Sequence, residues 1–207
     1  MKQKKYKDPS FATYLFCIAL LELGVMKVLL LIFSLYFLPA ANPEINVDRI
    51  SHVREFTLKQ DCRNDYAIFI DMSLPSNEKR WYVVDLKSGN VVYKTYVAHG
   101  RGSGEGKIPT NFSDKPGSLC TALGVYKITG TCYSEHGLSY LLDGLEKNNK
   151  NALSRGVIIH SAWYAEENFI ASYGRCGNSW GCPAISAKAL KDCETYLKPG
   201  TLVWIYR

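Results

Sequence analysis

The sequence lacks several patterns that would assign it to a common class of protein. It has no internal repeat, no low-complexity stretch and no Cys-x-x-Cys pair, and close pairs of that kind are typical of zinc sites. Beyond residue 41 it also has no run of Lys and Arg with interleaved aromatic residues, the pattern expected of a nucleic-acid surface. We therefore predict no metal, no other cofactor and no nucleic-acid partner.

The net charge overstates how basic most of the chain is. The formal charge of +6 includes five basic and two acidic residues within positions 1–41, which leaves 20 basic against 17 acidic side chains, a net +3, in the remainder. Hydrophobic residues make up 47% of the sequence and aromatic residues 13%, as in a globular domain. About 160 residues follow the N-terminal segment, enough for one domain with a sizeable core.

The N-terminal 41 residues have the pattern of a targeting segment. Two apolar stretches, Phe11–Leu21 and Val28–Pro39, are separated by a segment that carries Glu22 and Lys27. Neither stretch reaches the roughly 20 uninterrupted apolar residues that a membrane-spanning helix needs. The second stretch, preceded by a lysine and followed by small residues, is typical of a secretory signal.

Two interpretations of this segment stay open. In the first, Met26 is the true start and a signal peptide is cleaved near Ala40 or Ala41. In the second, residues 11–39 form one uncleaved anchor that tethers the protein to a membrane. Both predict export to the periplasm or cell envelope, with residues 42–64 as a lead-in segment, in part helical, and 65–207 as the main domain. The oligomeric state cannot be read from the sequence.

Six cysteines follow the N-terminal segment: Cys62, Cys120, Cys132, Cys176, Cys182 and Cys193. Exported proteins often pair such cysteines as disulfides. We expect Cys120–Cys132, or a pairing of Cys62, as disulfides. Metal ligation by these thiols with His136 or His160 is the disfavoured alternative, because their spacings are not those of zinc sites.

Short β-rich runs dominate the rest of the chain. Strands are predicted at Tyr66–Asp71, Arg80–Asp85, Val91–Val97, Gly124–Gly130, Val157–His160 and Thr201–Tyr206. A hairpin turn is predicted at residues 87–90, and short helices at 165–171 and 186–197, with Ser186 as N-cap. Residues 100–117 form a long loop rich in Gly, Ser and Pro, facing either a substrate or solvent. This pattern predicts a mainly β domain, closed as a sandwich or barrel, with a few short helices.

The residues around Cys182 are those of a nucleophile site. A thiolate nucleophile needs a nearby base and donors for the oxyanion. Ser179, Trp180 and Gly181 precede Cys182, and a glycine there lets backbone N–H groups approach a substrate carbonyl. A Gly-rich turn with a structural cysteine would have the same sequence, so this segment alone does not decide between the two.

His160 is the preferred base for Cys182. It ends the apolar run Val157–Ile159, is followed by small Ser161, and lies 22 residues before Cys182. His99, followed by Gly100 at the start of the long loop, is a competing base. His136 and His52 lie in polar stretches and are assigned no role.

The order of the pair narrows the enzyme class. Papain-type proteases place the cysteine first, and caspase-type enzymes place the histidine about 50 residues upstream. Sortases share the order seen here but need an arginine after the nucleophile. No arginine follows Cys182 before Arg207, whereas Arg175 precedes it.

Over roughly residues 65–205 the chain resembles the murein L,D-transpeptidase catalytic domain. The resemblance is to the branch of that family whose motif reads Gly-Arg-Ser-x-Gly-Cys-Pro. The matching segments are 97–102, 109–113, 117–118, 123–126, 137–140, 144–146, Asn149, 155–160 and 174–184. The resemblance implies a largely β catalytic domain with Cys182 as nucleophile and His160 as base. It also implies peptidoglycan stem peptides as substrates, attacked at diaminopimelate with release of D-alanine. Transfer to an amine is expected; hydrolysis, or binding without catalysis, are the alternatives.

Two departures from the family pattern matter. Trp180 stands where the better-known branch has histidine, and no arginine follows Cys182 closely, so the resemblance leaves Arg175 or Arg101 to hold the substrate carboxylate. Residues 176–178 look like an insertion. On this basis a disulfide between Cys176 and Cys182 would switch the nucleophile off.

Overall fold

The computed structural model describes residues 45–59 and 62–207. The predicted signal or anchor, with its start at Met26, lies outside the described residues. Within them, no helix combines the length and the apolar character that crossing a bilayer would require.

Two cores on opposite faces of one sheet explain why its central strands are apolar without interruption. Alternate side chains of a strand point to opposite faces. Ile68 and Ile70 accordingly join one cluster, whereas Ala67 and Phe69 join the other, which also packs against the first helix.

The described residues form ten strands, three α-helices and two 3-10 turns. The strands are β1 (Tyr66–Asp71), β2 (Trp81–Asp85), β3 (Val91–Thr95), β4 (His99–Gly100), β5 (Gly124–Ser134), β6 (Gly137–Gly144), β7 (Ile158–Ser161), β8 (Asn178–Ser179), β9 (Ala184–Ile185) and β10 (Leu202–Tyr206). The α-helices are α1 (Val47–Lys59), α2 (Glu167–Tyr173) and α3 (Ala187–Asp192), and 3-10 turns cover Arg101–Ser103 and Trp163–Ala165. The prediction of a mainly β domain with a few short helices is confirmed.

Eight of these strands form a mixed sheet in the order β3-β2-β1-β10-β5-β6-β7-β9, and β4 pairs with β8 in a separate ribbon. Its two edges approach each other, because Ala98, just after β3, donates its N–H to the carbonyl oxygen of Ala184 in β9 at 2.8 Å. Strands from both halves of the sheet share one core cluster. The sheet therefore curls around that core, as a barrel-like domain requires.

Local sequence signals located most of these elements. The predicted turn joins β2 to β3, with Gly89 at φ +78° and the Asp85 carboxylate accepting two backbone N–H groups. Ser186 caps α3 by accepting from Ala189 N at 3.1 Å, although the helix ends at Asp192, well before residue 197. The prediction missed β6, whose flanking glycines are typical of loops and whose partner is β5 along the whole hairpin.

Candidate active site

One serine side chain closes the turn that carries Cys182. Strand β8 brings Ser179 beside Gly100 of β4, where Ser179 is almost fully buried. Its Oγ accepts the N–H of Gly181 at 3.1 Å and donates to the carbonyl oxygen of Cys182 at 2.6 Å. Both ends of the turn are therefore held by the same hydroxyl.

Position 181 requires a glycine, both for its backbone conformation and for lack of space. Its φ is +122°, a conformation that L side chains rarely adopt, and a Cβ there would lie 2.8 Å from the carbonyl oxygen of Cys120. A glycine here was expected to let the backbone approach a substrate carbonyl. In the structure, Gly181 instead lies close to the backbone of Cys120. The Gly181 N–H is donated to Ser179, whereas the Cys182 N–H has no hydrogen-bond partner among the described residues. That N–H is the group available to an oxyanion.

The Cys182 thiol lies against the backbone that leads into β7. Its Sγ accepts the N–H of Ile158 at 3.5 Å and donates to the carbonyl oxygen of Gly156 at 3.8 Å. Burial raises the pKa of the thiol, and the Ile158 N–H and the charge of Arg155 offset this only in part. Since only a protonated sulfur donates, the resting group is a thiol.

His160 lies at the end of the same strand, in register with Ala184, two residues beyond Cys182. The ring is buried, and its Nδ1 is 2.9 Å from the carbonyl oxygen of Ser161. Because a carbonyl only accepts, Nδ1 carries the proton and the unprotonated Nε2 is left to act as a base. Burial lowers the pKa of His160, so the ring is neutral at neutral pH.

The sequence left open which group orients His160, and the structure assigns that contact to the carbonyl of Ser161. The Ser161 hydroxyl instead donates to the carbonyl oxygen of His136 at 3.4 Å.

His99, the competing base, is held by the protein at both ring nitrogens. Arg80 Nη2 donates to Nδ1 at 2.8 Å, which leaves the proton on Nε2, 2.9 Å from the carbonyl oxygen of Gly104. Burial, and then the charge of Arg80, lower the pKa of His99 to about 4. With no free ring nitrogen, His99 fixes the start of the 100–117 loop and is not poised to take a proton.

Arg155, to which the sequence assigned no role, braces the turn that carries Cys182. Its guanidinium is 5% exposed, lies 3.4 Å from the carboxylate of Asp114 and donates to the carbonyl oxygen of Cys120 at 2.6 Å. A Cβ on Gly181 would lie 3.0 Å from its Nη2. The sequence signal that could have indicated a role for Arg155 is its place in the 155–160 segment that leads to His160.

Two arginines were predicted to hold a substrate carboxylate, and they differ in their contacts. Arg175 donates to the carbonyl oxygen of Cys176 at 2.8 Å and to Asn178 Oδ1 at 3.0 Å. Arg101 is exposed, and its side chain contacts the ring of Trp180, whose centroid is 5.9 Å away and which is itself 70% exposed. Arg101 is thus an exposed arginine beside Trp180, two residues before Cys182 in the chain.

The cysteine predictions need correction. Cys120, Cys132, Cys176, Cys182 and Cys193 are free thiols, so the expected Cys120–Cys132 disulfide, or one between Cys62 and any of these five, is wrong. Cys120 is buried against the loop after Gly100, whereas Cys132 lies on the hairpin strand β5. Cys176 is also buried, with its thiol donating to the carbonyl oxygen of Ser76 at 3.1 Å. Burial raises its pKa to about 11, so its thiol is protonated and reacts slowly.

His136, assigned no role from the sequence, stacks on His160 with ring centroids 4.0 Å apart and planes 15° from parallel. Nothing in its local sequence pointed to this contact, since it depends on how β5 and β6 fold over β7. Across residues 45–59 and 62–207, no three His, Cys, Asp or Glu side chains are grouped as metal ligands would be.

Comparison with known proteins gives one match to a family. The model of the L,D-transpeptidase catalytic domain matches residues 40–206. No curated protein sequence matches this chain.

Solved structures with similarity to the chain include three L,D-transpeptidases. That from Mycobacterium smegmatis is 14% identical with a TM-score of 0.43, covering 69% of this chain and 59% of its own. That from Stackebrandtia nassauensis is 18% identical with a TM-score of 0.40, covering 70% and 58%. The C442S mutant from Enterococcus faecium is 15% identical with a TM-score of 0.39, covering 69% and 50%. The chain thus spans half to three fifths of their lengths.

Proposed function

Because the chain belongs to the L,D-transpeptidase catalytic-domain family, we propose that it is a peptidoglycan-modifying L,D-transpeptidase with Cys182 as nucleophile and His160 as base. One observation carries the proposal. The Cys182 thiol contacts the backbone of Ile158, and two residues further along β7 the imidazole of His160 is oriented through Nδ1, with Nε2 left unprotonated. Acyl transfer needs a nucleophile and an oriented base, and here one packs against β7 while the other is part of it.

The donor in this proposal is a stem tetrapeptide. His160 Nε2 takes the thiol proton as Sγ attacks the amide carbonyl at the L-centre of diaminopimelate. The free N–H of Cys182 stabilises the oxyanion. As the C–N bond breaks, the leaving D-alanine amine takes the proton from His160, and a thioester remains on Cys182.

The acyl group then passes from Cys182 to an amine of a second stem peptide, which forms an amide. Neutral His160 takes a proton from that amine as it attacks, and the proton returns to the departing sulfur. Arg101 holds the substrate carboxylate, because its side chain is exposed beside Trp180, whereas Nη1 of Arg175 already donates to the Cys176 carbonyl and to Asn178 Oδ1.

Hydrolysis by water in place of the amine would make the protein an L,D-carboxypeptidase, which shares every step up to the thioester. A protein that only binds peptidoglycan would have no use for an oriented base beside a thiol. Export to the periplasm or cell envelope is part of the proposal, because peptidoglycan is there.

The test is to incubate the reduced protein with disaccharide tetrapeptide and to analyse the products by mass spectrometry. We expect a cross-linked dimer, free D-alanine and, in a rapid quench, a thioester on Cys182. Cys182→Ala abolishes all three without unfolding the protein, and Cys132→Ala is the matched control that retains them. Tripeptide without dimer would indicate the carboxypeptidase, and neither product from folded, reduced protein would refute catalysis.

A further inference from the structure

The turn between β5 and β6 places a second imidazole on the proposed base. His136 stacks face to face on His160 at 4.0 Å between centroids. The side chain of His136 is 36% exposed, whereas His160 is 2% exposed as a residue. One face of the His160 ring is therefore covered by a residue that itself meets solvent.

Hydrogen bonds hold this turn at both sides of the stack. The N–H of His136 donates to Ser134 Oγ at 3.1 Å, within the turn. The carbonyl of His136 accepts from Ser161 Oγ at 3.4 Å, and the carbonyl of Ser161 accepts from His160 Nδ1 at 2.9 Å. Ser161 is thus bonded to both histidines, so the two rings are aligned by the same residue.

Charge on the turn acts on His160 in both directions. His136 Nε2 lies 3.5 Å from the carboxylate of the exposed Glu135. When protonated, His136 opposes protonation of His160, whereas Glu135 favours it. The thiol of Cys182, held against the backbone of Ile158 two residues before His160, is neutral in the resting state.

We propose that His136 is a positioning residue that holds the His160 ring in plane and keeps it unprotonated as the pH falls. This role rests on the proposed function, in which His160 is the base. Two physical effects combine: the stacked ring excludes water from one face of His160, and the His136 cation repels a second proton nearby. Both favour the neutral ring that accepts the thiol proton.

Removing His136 is expected to raise the pKa of His160, because the opposing charge and the covering ring are both lost. Glu135→Gln acts in the opposite direction, because it removes the charge that favours His160 protonation. A residue that merely supported folding would not move pKa values in this pattern.

The experiment is an NMR titration of the histidine ring protons in the folded full-length protein, assigned with single-histidine variants. We expect His136→Ala to raise the pKa of His160 and Glu135→Gln to lower it. His52, which packs on Trp204 with centroids 4.7 Å apart, supplies the control His52→Ala, with no effect on His160.

Acylation rates against pH give the second measurement. If the pKa of His160 rises by one, His136→Ala has about tenfold less neutral imidazole at low pH. The acid limb of its acylation rate profile then lies about one pH unit higher than in the wild-type protein. Unchanged titration of His160 in His136→Ala, or a shift of the same sign in Glu135→Gln, would overturn the proposal. If the wild-type protein forms no product, the proposed function fails, while the NMR titrations still decide whether His136 controls His160.

Discussion

Gly100 and Gly181 touch backbone to backbone: a Cβ on Gly100 would lie 2.7 Å from the Cα of Gly181. The same Cβ would lie 2.3 Å from the carbonyl oxygen of Leu119, a residue held at φ +56°. The start of the 100–117 loop therefore supports the turn that carries Cys182, with no room for even one methyl group between them.

Gly100→Ala tests this support. The methyl group must displace one of the two backbones, which costs about 1–3 kcal/mol, and a shift of Cys182 by about 1 Å slows acylation by about 10²-fold. Thermal unfolding and the rate of thioester formation measure the two effects. Gly130→Ala is the control, since a Cβ there meets nothing within 4 Å. Equal rates in the two variants would show that the contact does not position the nucleophile.

Replacing each histidine separately distinguishes the base from its competitor. His160→Ala slows acylation by about 10²–10⁴-fold, the usual contribution of a general base. His99→Ala removes one acceptor of the buried Arg80, which still donates to the carbonyl oxygens of Val97 and Leu74, and costs about 1–3 kcal/mol of stability. The folded protein keeps its base. Rates are measured at a temperature where circular dichroism shows both variants folded. If His99→Ala were as slow as His160→Ala there, the assignment of the base would be wrong.

His99 also predicts how stability depends on pH. Its pKa is about 4 in the folded protein against 6.5 ordinarily, so between these values the unfolded chain binds a proton that the folded protein excludes. Stability is complete above pH 6.5 and falls by about 3 kcal/mol as the pH drops to 4. Urea unfolding at pH 7, 5.5 and 4.5 measures the fall. His99→Asn cannot titrate, so its stability should fall less over this pH range. If its stability fell as steeply as that of the wild-type protein, another group would be responsible.

The resting pair of Cys182 and His160 is expected to be neutral. Burial raises the pKa of the thiol above 9.0 and lowers that of the imidazole below 6.5, so the proton stays on sulfur between these values. Alkylation of Cys182 by iodoacetamide, followed on its tryptic peptide, should keep rising beyond pH 9. Acylation by substrate should instead lose activity only below pH 6.5, where His160 becomes protonated. Half-maximal alkylation near neutral pH would indicate a preformed ion pair.

Arg101→Gln should weaken substrate binding. A hydrogen bond to a charged group contributes about 1.5–3 kcal/mol, which corresponds to a rise in KM of about 10–100-fold. Arg175→Gln is the comparison, because Nη1 of Arg175 already donates to Cys176 and Asn178. This change should alter stability more than KM. A donor peptide with an amidated terminal carboxylate should bind wild type and Arg101→Gln equally. A larger rise in KM for Arg175→Gln than for Arg101→Gln would show that Arg175 holds the substrate carboxylate.

Some of the fold was predictable because its determinants are close together in the chain. The run that becomes β1 is apolar on both faces, the turn before β3 contains the glycine it requires, and Ser186 caps the helix that it precedes. In the same way, Ser179, Gly181 and Cys182 could be recognised together, because one tight turn contains all three.

Contacts between residues far apart in the sequence became visible only in the folded protein. The sequence alone determined a mainly β chain with a cysteine in a glycine-bearing turn and a histidine at a strand end, since each depends on neighbours along the chain. It could not show that Arg80 occupies His99 or that His136 stacks on His160. Those contacts depend on how the sheet curls and how one hairpin lies over β7, and no local pattern encodes that geometry.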